Sequence, residues 1–418
     1  MKIASGRGIY AYDENGREYI DCASGTFNLS LGYSHPDIVE IYQTQASKLI
    51  HCSSSFSVDV IENLEERLSA LVPIANAKVF LKSCSGSMAN EGAVKMAQYA
   101  TGGRDIISFF RAHHGQGALS TAISGNAFRL SPFNLPPVPT IKVPAPTCNN
   151  CFYGQSPKHC KLQCITKIEE FIEFSSSGHP AAIFVEPVMG NGDNIVWPRA
   201  ALKALRSFCD SRKIPLVFDE IQTGVGRTGE LFAANLYAVS PDIMTLGKGL
   251  GGSGAQIAAI IASDEYAKMP RSLHAFTSGG NIVAAAAALK TLDIVSQQYF
   301  LEHVRFVGAR MTAGLRSLLG NKIYVKDIRG PGLMIGIELV EDDGSPSPRR
   351  VAQIVNEAKK HGLILRESRY GHGPVLKMRP PLIITADEVD IILERLANVF
   401  NILERQPCWL QERAACIA

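Results

Sequence analysis

At 418 residues the chain exceeds one average domain, and one large α/β domain with a smaller companion accounts for it as well as three small ones. With 46% apolar and 19% charged residues, a formal charge of +3 and no basic run, it reads as a globular protein with ample core, and charge excludes nucleic acid as a partner. Gly, Asp or Lys interrupts each apolar stretch well short of the roughly 18 residues of a membrane span; no signal-peptide core opens the chain, and ten cysteines in so long a sequence read as reduced, cytoplasmic thiols.

In chain order, residues 8–12 and 19–22, joined by Asp13-Glu14-Asn15-Gly16, predict a hairpin with an Asn-Gly turn. A helix starts after Ser34-His35-Pro36, and a second covers 60–71. Strands follow at 77–81, 105–110, 181–188, 216–219, 243–246 and 257–262, with a helix over 88–99 and further helical stretches between them. Their short β-branched runs lack polar alternation, which predicts strands buried on both faces of a mostly parallel sheet covered by helices. Residues 131–146 carry Pro132, Pro136, Pro137, Pro139, Pro144 and Pro146 and read as a surface excursion leading into a cysteine-rich stretch, an insertion over about 131–165. An alanine-rich helix over 281–295 leads out of the sheet. A strand at 334–339 and helices at 351–361 and 388–403 make up a smaller α+β region.

Ligands of an open parallel sheet sit beyond the carboxyl ends of its strands, which gathers Glu186, Asp219 and Lys248 around one crevice. Lys248 lies in the apolar, glycine-rich run from Pro241 to Gly252, where a merely structural lysine is a poor explanation. Asp219 alone could cap a helix. Together, a lysine closing one strand and an aspartate closing another are what pyridoxal phosphate (PLP) chemistry needs: an amine for the Schiff base with the cofactor aldehyde, and an acid that keeps the pyridine nitrogen protonated. Ser83-Cys84-Ser85-Gly86-Ser87-Met88 is a small-residue turn opening a helix, suited to a phosphate, and Gly86 and Ser87 are its candidate ligands. Cys148, Cys151, Cys160 and Cys164 have spacing that suits zinc or an iron–sulfur cluster. No step of this chemistry requires a metal, so they are read as a loop of reduced thiols and no metal is assigned.

Val217-Phe218-Asp219-Glu220-Ile221-Gln222-Thr223-Gly224-Val225-Gly226-Arg227-Thr228-Gly229, followed by Pro241-Asp242 and Gly247-Lys248-Gly249, resembles the class III PLP-dependent aminotransferases, and the likeness runs from about residue 8 to about residue 396. The resemblance implies the fold-type-I PLP transferase fold, with a large domain built on a mostly parallel, seven-stranded type of sheet and a smaller α+β domain. It implies the division 1–40 (packing with the small domain), 41–290 and 291–418, and a cytoplasmic homodimer with two shared active sites. Lys248 then binds the cofactor and moves the proton. Asp219 meets the pyridine nitrogen, Gln222 the ring hydroxyl, and Thr277 the phosphate of the partner subunit. Met88 replaces a glutamate of the family's phosphate signature. In Ala112-His113-His114-Gly115 the residue before His-Gly is usually aromatic; His113 stands there as a neutral ring stacked on the cofactor, and His114 also joins the cofactor site.

In relatives Glu186 gates the pocket by pairing with an arginine. Many members hold a substrate carboxylate with an arginine where this chain has Lys377; Arg379 shares its strand face, and its planar fork makes it the expected carboxylate ligand. The implied reaction is transamination between an amino-acid donor and a keto or aldehyde acceptor. An ω-amine or amino-sugar substrate is included, since residues 365–373 resemble aminotransferases of aminoglycoside synthesis. Racemases, decarboxylases and phospholyases of the same family share these cofactor residues and form the competing reading. A non-enzymatic PLP-binding regulator is disfavoured, because the catalytic set is complete and no DNA-binding motif is appended.

Overall fold

A seven-stranded sheet organises the protein, in the order Lys78–Ser83, Ala258–Ala262, Ile243–Leu246, Leu216–Asp219, Pro180–Val185, Asp105–Phe109, Thr140–Val143. The structure, a computed structural model, describes residues 1–53, 55–134, 138–406 and Trp409. Ala258–Ala262 runs antiparallel to both its neighbours, and the other ladders are parallel. All residues of the five inner strands are buried, as their unalternating apolar sequences require. Each buried Ile, Val, Leu or Phe side chain contributes about 1.5–3 kcal/mol, so this sheet and its covering helices dominate the core.

One sheet strand was not expected. Thr140–Val143 lies inside the proline-rich excursion and pairs in parallel with Asp105–Phe109. Its alternating burial marks an edge strand, and Pro139 and Pro144 flank it rather than interrupt it, where a missing N–H does no harm. Pro136 and Pro137 lie outside the described residues.

The expected hairpin is Tyr10–Asp13 with Glu18–Asp21, extended by Ile3–Arg7. Gly16 has φ +77°, which the Asn15-Gly16 turn demands of it. A fourth strand, Leu363–Ile364, joins in parallel to Glu18–Asp21, so the start of the chain is sewn to a segment far along it. Another four-stranded antiparallel sheet is ordered Val325–Arg329, Ile335–Leu339, Val375–Met378, Arg366–Glu367. The helices Pro348–Lys360 and Ala386–Glu404 accompany it, the latter started by a reciprocal Thr385–Glu388 capping box. The alanine-rich helix, Ile282–Val295, packs on Pro36–Lys48 and Asp59–Leu71. Among the described residues no helix is long and apolar enough to cross a membrane.

Candidate active site

The carboxyl ends of Pro180–Val185, Leu216–Asp219 and Ile243–Leu246 bring Glu186, Asp219 and Lys248 to one side of the large sheet. Lys248, Gln222 and His113 line a cavity of about 280 Å³, together with Asn191, Tyr370 and Lys377. Lys248 sits at φ +41°, an unfavourable conformation for a side chain with a Cβ, and such strain is characteristic of functional sites. Among the described residues its amine has no hydrogen-bond partner. Burial holds its pKa below the ordinary lysine value, opposed by Asp219 and Glu186.

Asp219 is 3% exposed and tightly oriented. Its Oδ2 meets Asn90 Nδ2 and His114 Nδ1, each at 2.8 Å, while among the described residues Oδ1 accepts only the N–H of Ile221 at 3.1 Å. One oxygen is therefore fixed by two donors, and the other retains a lone pair for a ligand. His114 is fully buried and serves the aspartate directly. Asn90 is held in turn, its Oδ1 accepting from Thr245 Oγ1 at 2.7 Å. Asn90 and Thr245 escaped the sequence reading, although Asn90 lies within the very turn-and-helix motif that supplies Gly86 and Ser87.

The N–H groups of Gly86 and Ser87 open the helix Gly86–Thr101, where no intrahelical acceptor exists for them, and Ser85 caps Met88 N. A Cβ on Gly86 would stand 2.7 Å from Ile221 Cδ1, and one on Gly247 would stand 3.6 Å from Gly86 Cα. The helix start thus abuts both the Asp219 turn and the Lys248 turn. Ser87 Oγ accepts the N–H of Gln116 at 3.0 Å, tying this turn to the His113 segment. An unpaired amine, an oriented carboxylate and a free helix N-terminus within one crevice fit PLP in its three functional parts: aldehyde, pyridine nitrogen and phosphate.

His113 lines the cavity with its Nδ1 buried and unpartnered among the described residues. Burial, then the nearby Arg129, hold this imidazole well below its ordinary pKa, so it is a neutral ring. Thr277 lies apart from this cavity, in a second one of about 630 Å³ lined also by Phe56, Arg271 and Phe276.

Two expectations are corrected. Among the described residues Glu186 pairs with no arginine; its carboxylate accepts the N–H groups of His113 at 2.7 Å and Gly190 at 3.0 Å. It clamps two cavity-wall segments together, and burial pushes its pKa up to about 7. Arg379 does not line the cavity. It is fully buried behind the wall, with Nη1 on Gln222 Oε1 and Nη2 on Gly190 O and Asn194 Oδ1, both at 2.7 Å. Alternation along the strand does place it on the same side as Lys377, with both cations over the Phe27 ring, but one layer deeper. Its fork orients the Gln222 amide and leaves the Gln222 NH2 group unclaimed. Lys377, 3% exposed, is the cavity-lining member of the pair, next to Asn191.

The cysteines Cys148, Cys151, Cys160 and Cys164 are all free thiols, away from the Lys248 cavity. Among the described residues no group of three or more His, Cys, Asp or Glu side chains stands ready to hold a metal.

The family described as Aminotransferase class-III matches residues 1–400. The chain is 31% identical to a diaminobutyrate–2-oxoglutarate aminotransferase of Rhizobium meliloti, over 97% of this chain and 89% of that protein. It is also 31% identical to a leucine/methionine racemase of Thermococcus litoralis, over 94% and 89% of the two chains. Among solved structures it resembles the ω-transaminase of Pseudomonas jessenii in complex with PMP, with TM-score 0.89, 30% identity and coverage of 96% and 92%.

Proposed function

The chain belongs to the class III aminotransferases and is a PLP-dependent transaminase, and we propose that the cavity around Lys248 is where it works. The observation that carries this reading is the half-buried Lys248 amine, unpartnered among the described residues, beside an Asp219 whose orientation is fixed by His114 and Asn90. The bound cofactor supplies an electron sink for the substrate carbon that loses its proton. Lys248 Nζ, whose pKa burial lowers, would hold the cofactor and then carry that proton. Asp219 would hold a proton at the ring nitrogen, and the His114 contact fixes the orientation of its carboxylate. Gly86 and Ser87 bind the phosphate through backbone N–H groups. Gln222 would meet the ring hydroxyl with its NH2 group, and His113 would serve the ring as a neutral face without exchanging protons.

Lys377, rather than Arg379, holds the substrate carboxylate, a role supported by its place on the cavity lining. Racemisation uses the same cofactor contacts, and the relative named as a racemase keeps it as the second reading. The amine substrate is one whose reacting nitrogen lies away from its carboxylate, a reading supported by the likeness to a diaminobutyrate aminotransferase and to an ω-transaminase. An amino-sugar substrate stays within this reading. The division into segments 1–40, 41–290 and 291–418 is supported by the ladder from Glu18–Asp21 to Leu363–Ile364. Homodimerisation is supported by Thr277 standing at a second, open cavity, beside the exposed Phe56. The working place of such an enzyme is the cytoplasm. The decisive experiment adds an amine donor without acceptor and follows cofactor absorbance: full conversion to the amino form supports transamination, and retention of the aldehyde form with loss of substrate chirality supports the racemase.

A further inference from the structure

Of the described residues that line the Lys248 cavity, Phe27 alone has a side chain without a polar group, and its ring lies under the cations of Lys377 and Arg379. Small-molecule sites are ordinarily lined mainly by apolar and aromatic side chains. This wall instead carries donors and acceptors, and two of its members have polar atoms left unsatisfied among the described residues.

His113 is the first. Its backbone N–H is taken by Glu186 Oε1, but its ring makes no hydrogen bond among the described residues, and Nδ1 is buried. Burial, then the charge of Arg129, whose guanidinium lies 4.1 Å from the Tyr370 ring centroid, keep this imidazole neutral. A neutral imidazole has one donor and one acceptor nitrogen. A ring that gives its face to the cofactor leaves both at its edge, for whatever else the cavity holds. Asn191 is the second. It is 4% exposed; its Oδ1 stands 3.5 Å from Lys377 Nζ, and its Nδ2 is buried with no acceptor among the described residues. An amide donor left unpaired in the interior is costly, and a ligand oxygen that meets it removes the cost.

A carboxylate matches these two groups poorly, because it only accepts, and Lys377 already offers it a charge. A hydroxyl both donates and accepts, so it satisfies either tautomer of His113 and presents an oxygen to Asn191. A site built around a substrate hydroxyl discriminates sharply against the analogue lacking it, since the site's own polar groups are then left unpaired. We propose that His113 and Asn191 form a hydroxyl-recognition pair in the Lys248 cavity, so that in one half-reaction the enzyme selects a hydroxylated amine and the matching hydroxylated carbonyl compound over their deoxy counterparts. His113 thereby sets specificity at the position before His114-Gly115 that is usually aromatic in the family. This selectivity rests on the transaminase reading for the reaction it serves, not for the binding itself.

Equilibrium binding of threonate, the trihydroxy form of butyrate, and of butyrate itself to the holoenzyme provides the test. Neither acid has an amine or a carbonyl to react, and both offer Lys377 the same carboxylate. The wild type binds threonate roughly ten-fold more tightly, the worth of one or two hydrogen bonds. His113→Phe keeps a flat ring for the cofactor and brings the ratio of the two affinities close to one, and Asn191→Ala lowers the ratio roughly three-fold. Equal binding of the two acids by the wild type overturns the inference, and so does an undiminished ratio in either variant. Should His113→Phe fail to retain the cofactor absorbance, Asn191→Ala decides alone. If the transaminase reading fails by itself, the amine-driven absorbance change is absent while the threonate preference persists; if only hydroxyl recognition fails, the absorbance change occurs and the two acids bind alike.

Discussion

Lys377 and Arg379 both lie over the Phe27 ring yet stand in different surroundings, and the difference sets opposite expectations for the two. Lys377→Met should weaken binding of a carboxylate donor by roughly 1.5–3 kcal/mol while leaving the melting temperature unchanged or higher, because a buried ammonium is replaced by an apolar chain of similar length. Arg379→Ala should lower stability by roughly 3 kcal/mol, since the Gly190 carbonyl and two side-chain amides lose their donor inside the protein. Denaturation curves and donor binding, measured on both variants, separate the roles. Asp219→Asn should slow the proton-transfer step by orders of magnitude, because a neutral amide no longer keeps the ring nitrogen protonated. Near-normal turnover would show that the aspartate only orders its neighbours. Glu220 offers a pH test. Burial lifts its carboxyl from the ordinary 4.5 to about 7, although it accepts the N–H groups of Ala233 and Ala234. A raised acid binds its proton more tightly in the folded state, so its contribution favours folding at low pH, declines as pH rises from about 4.5 to 7, and is flat above. Glu220→Gln should therefore compare more favourably with the wild type at pH 8 than at pH 5 in thermal melts of the cofactor-free protein.

At the scale of elements, turns that join the sheet to its site tolerate little change. A Cβ on Gly190 would fall 1.9 Å from Gln222 Oε1. Gly190→Ala should displace the Gln222 amide and its Arg379 partner together, weakening cofactor binding more than it lowers the melting temperature; equal PLP affinity in the variant would refute that coupling. Strands at 216–219 and 243–246 could be read to the residue, because short, mostly apolar runs ended by Asp219 or by glycine mark their limits. Thr140–Val143 was hidden by prolines that turn out to sit at its ends. The site divides in the same way. Lys248, Asp219 and Gln222 follow from local sequence, whereas alternation told which side Arg379 faces but not how deep it lies. Asn90, Thr245 and the stack of Arg129 on Tyr370 depend on segments far apart in the chain, and no local pattern announces such meetings.

For the whole molecule, assembly is the first expectation. If Thr277 serves the partner's phosphate site, sedimentation should give a particle of twice the 45.3 kDa chain, and Thr277→Ala should loosen PLP without disturbing the Lys248 cavity. A monomer with full PLP affinity would remove that role. The ladder joining Leu363–Ile364 to Glu18–Asp21 has a consequence for how the protein is made. On the ribosome, the opening strands emerge hundreds of residues before the strand that completes their sheet, and they must wait as an open edge. Arg227 adds to the delay: its guanidinium bonds the carbonyls of Leu333 and Pro380, so the turn after Asp219 is also finished from late sequence. Contacts of such long range are slow to form and leave unpaired strand edges in the interval, which makes the nascent chain a client for chaperones and any truncated product prone to aggregate.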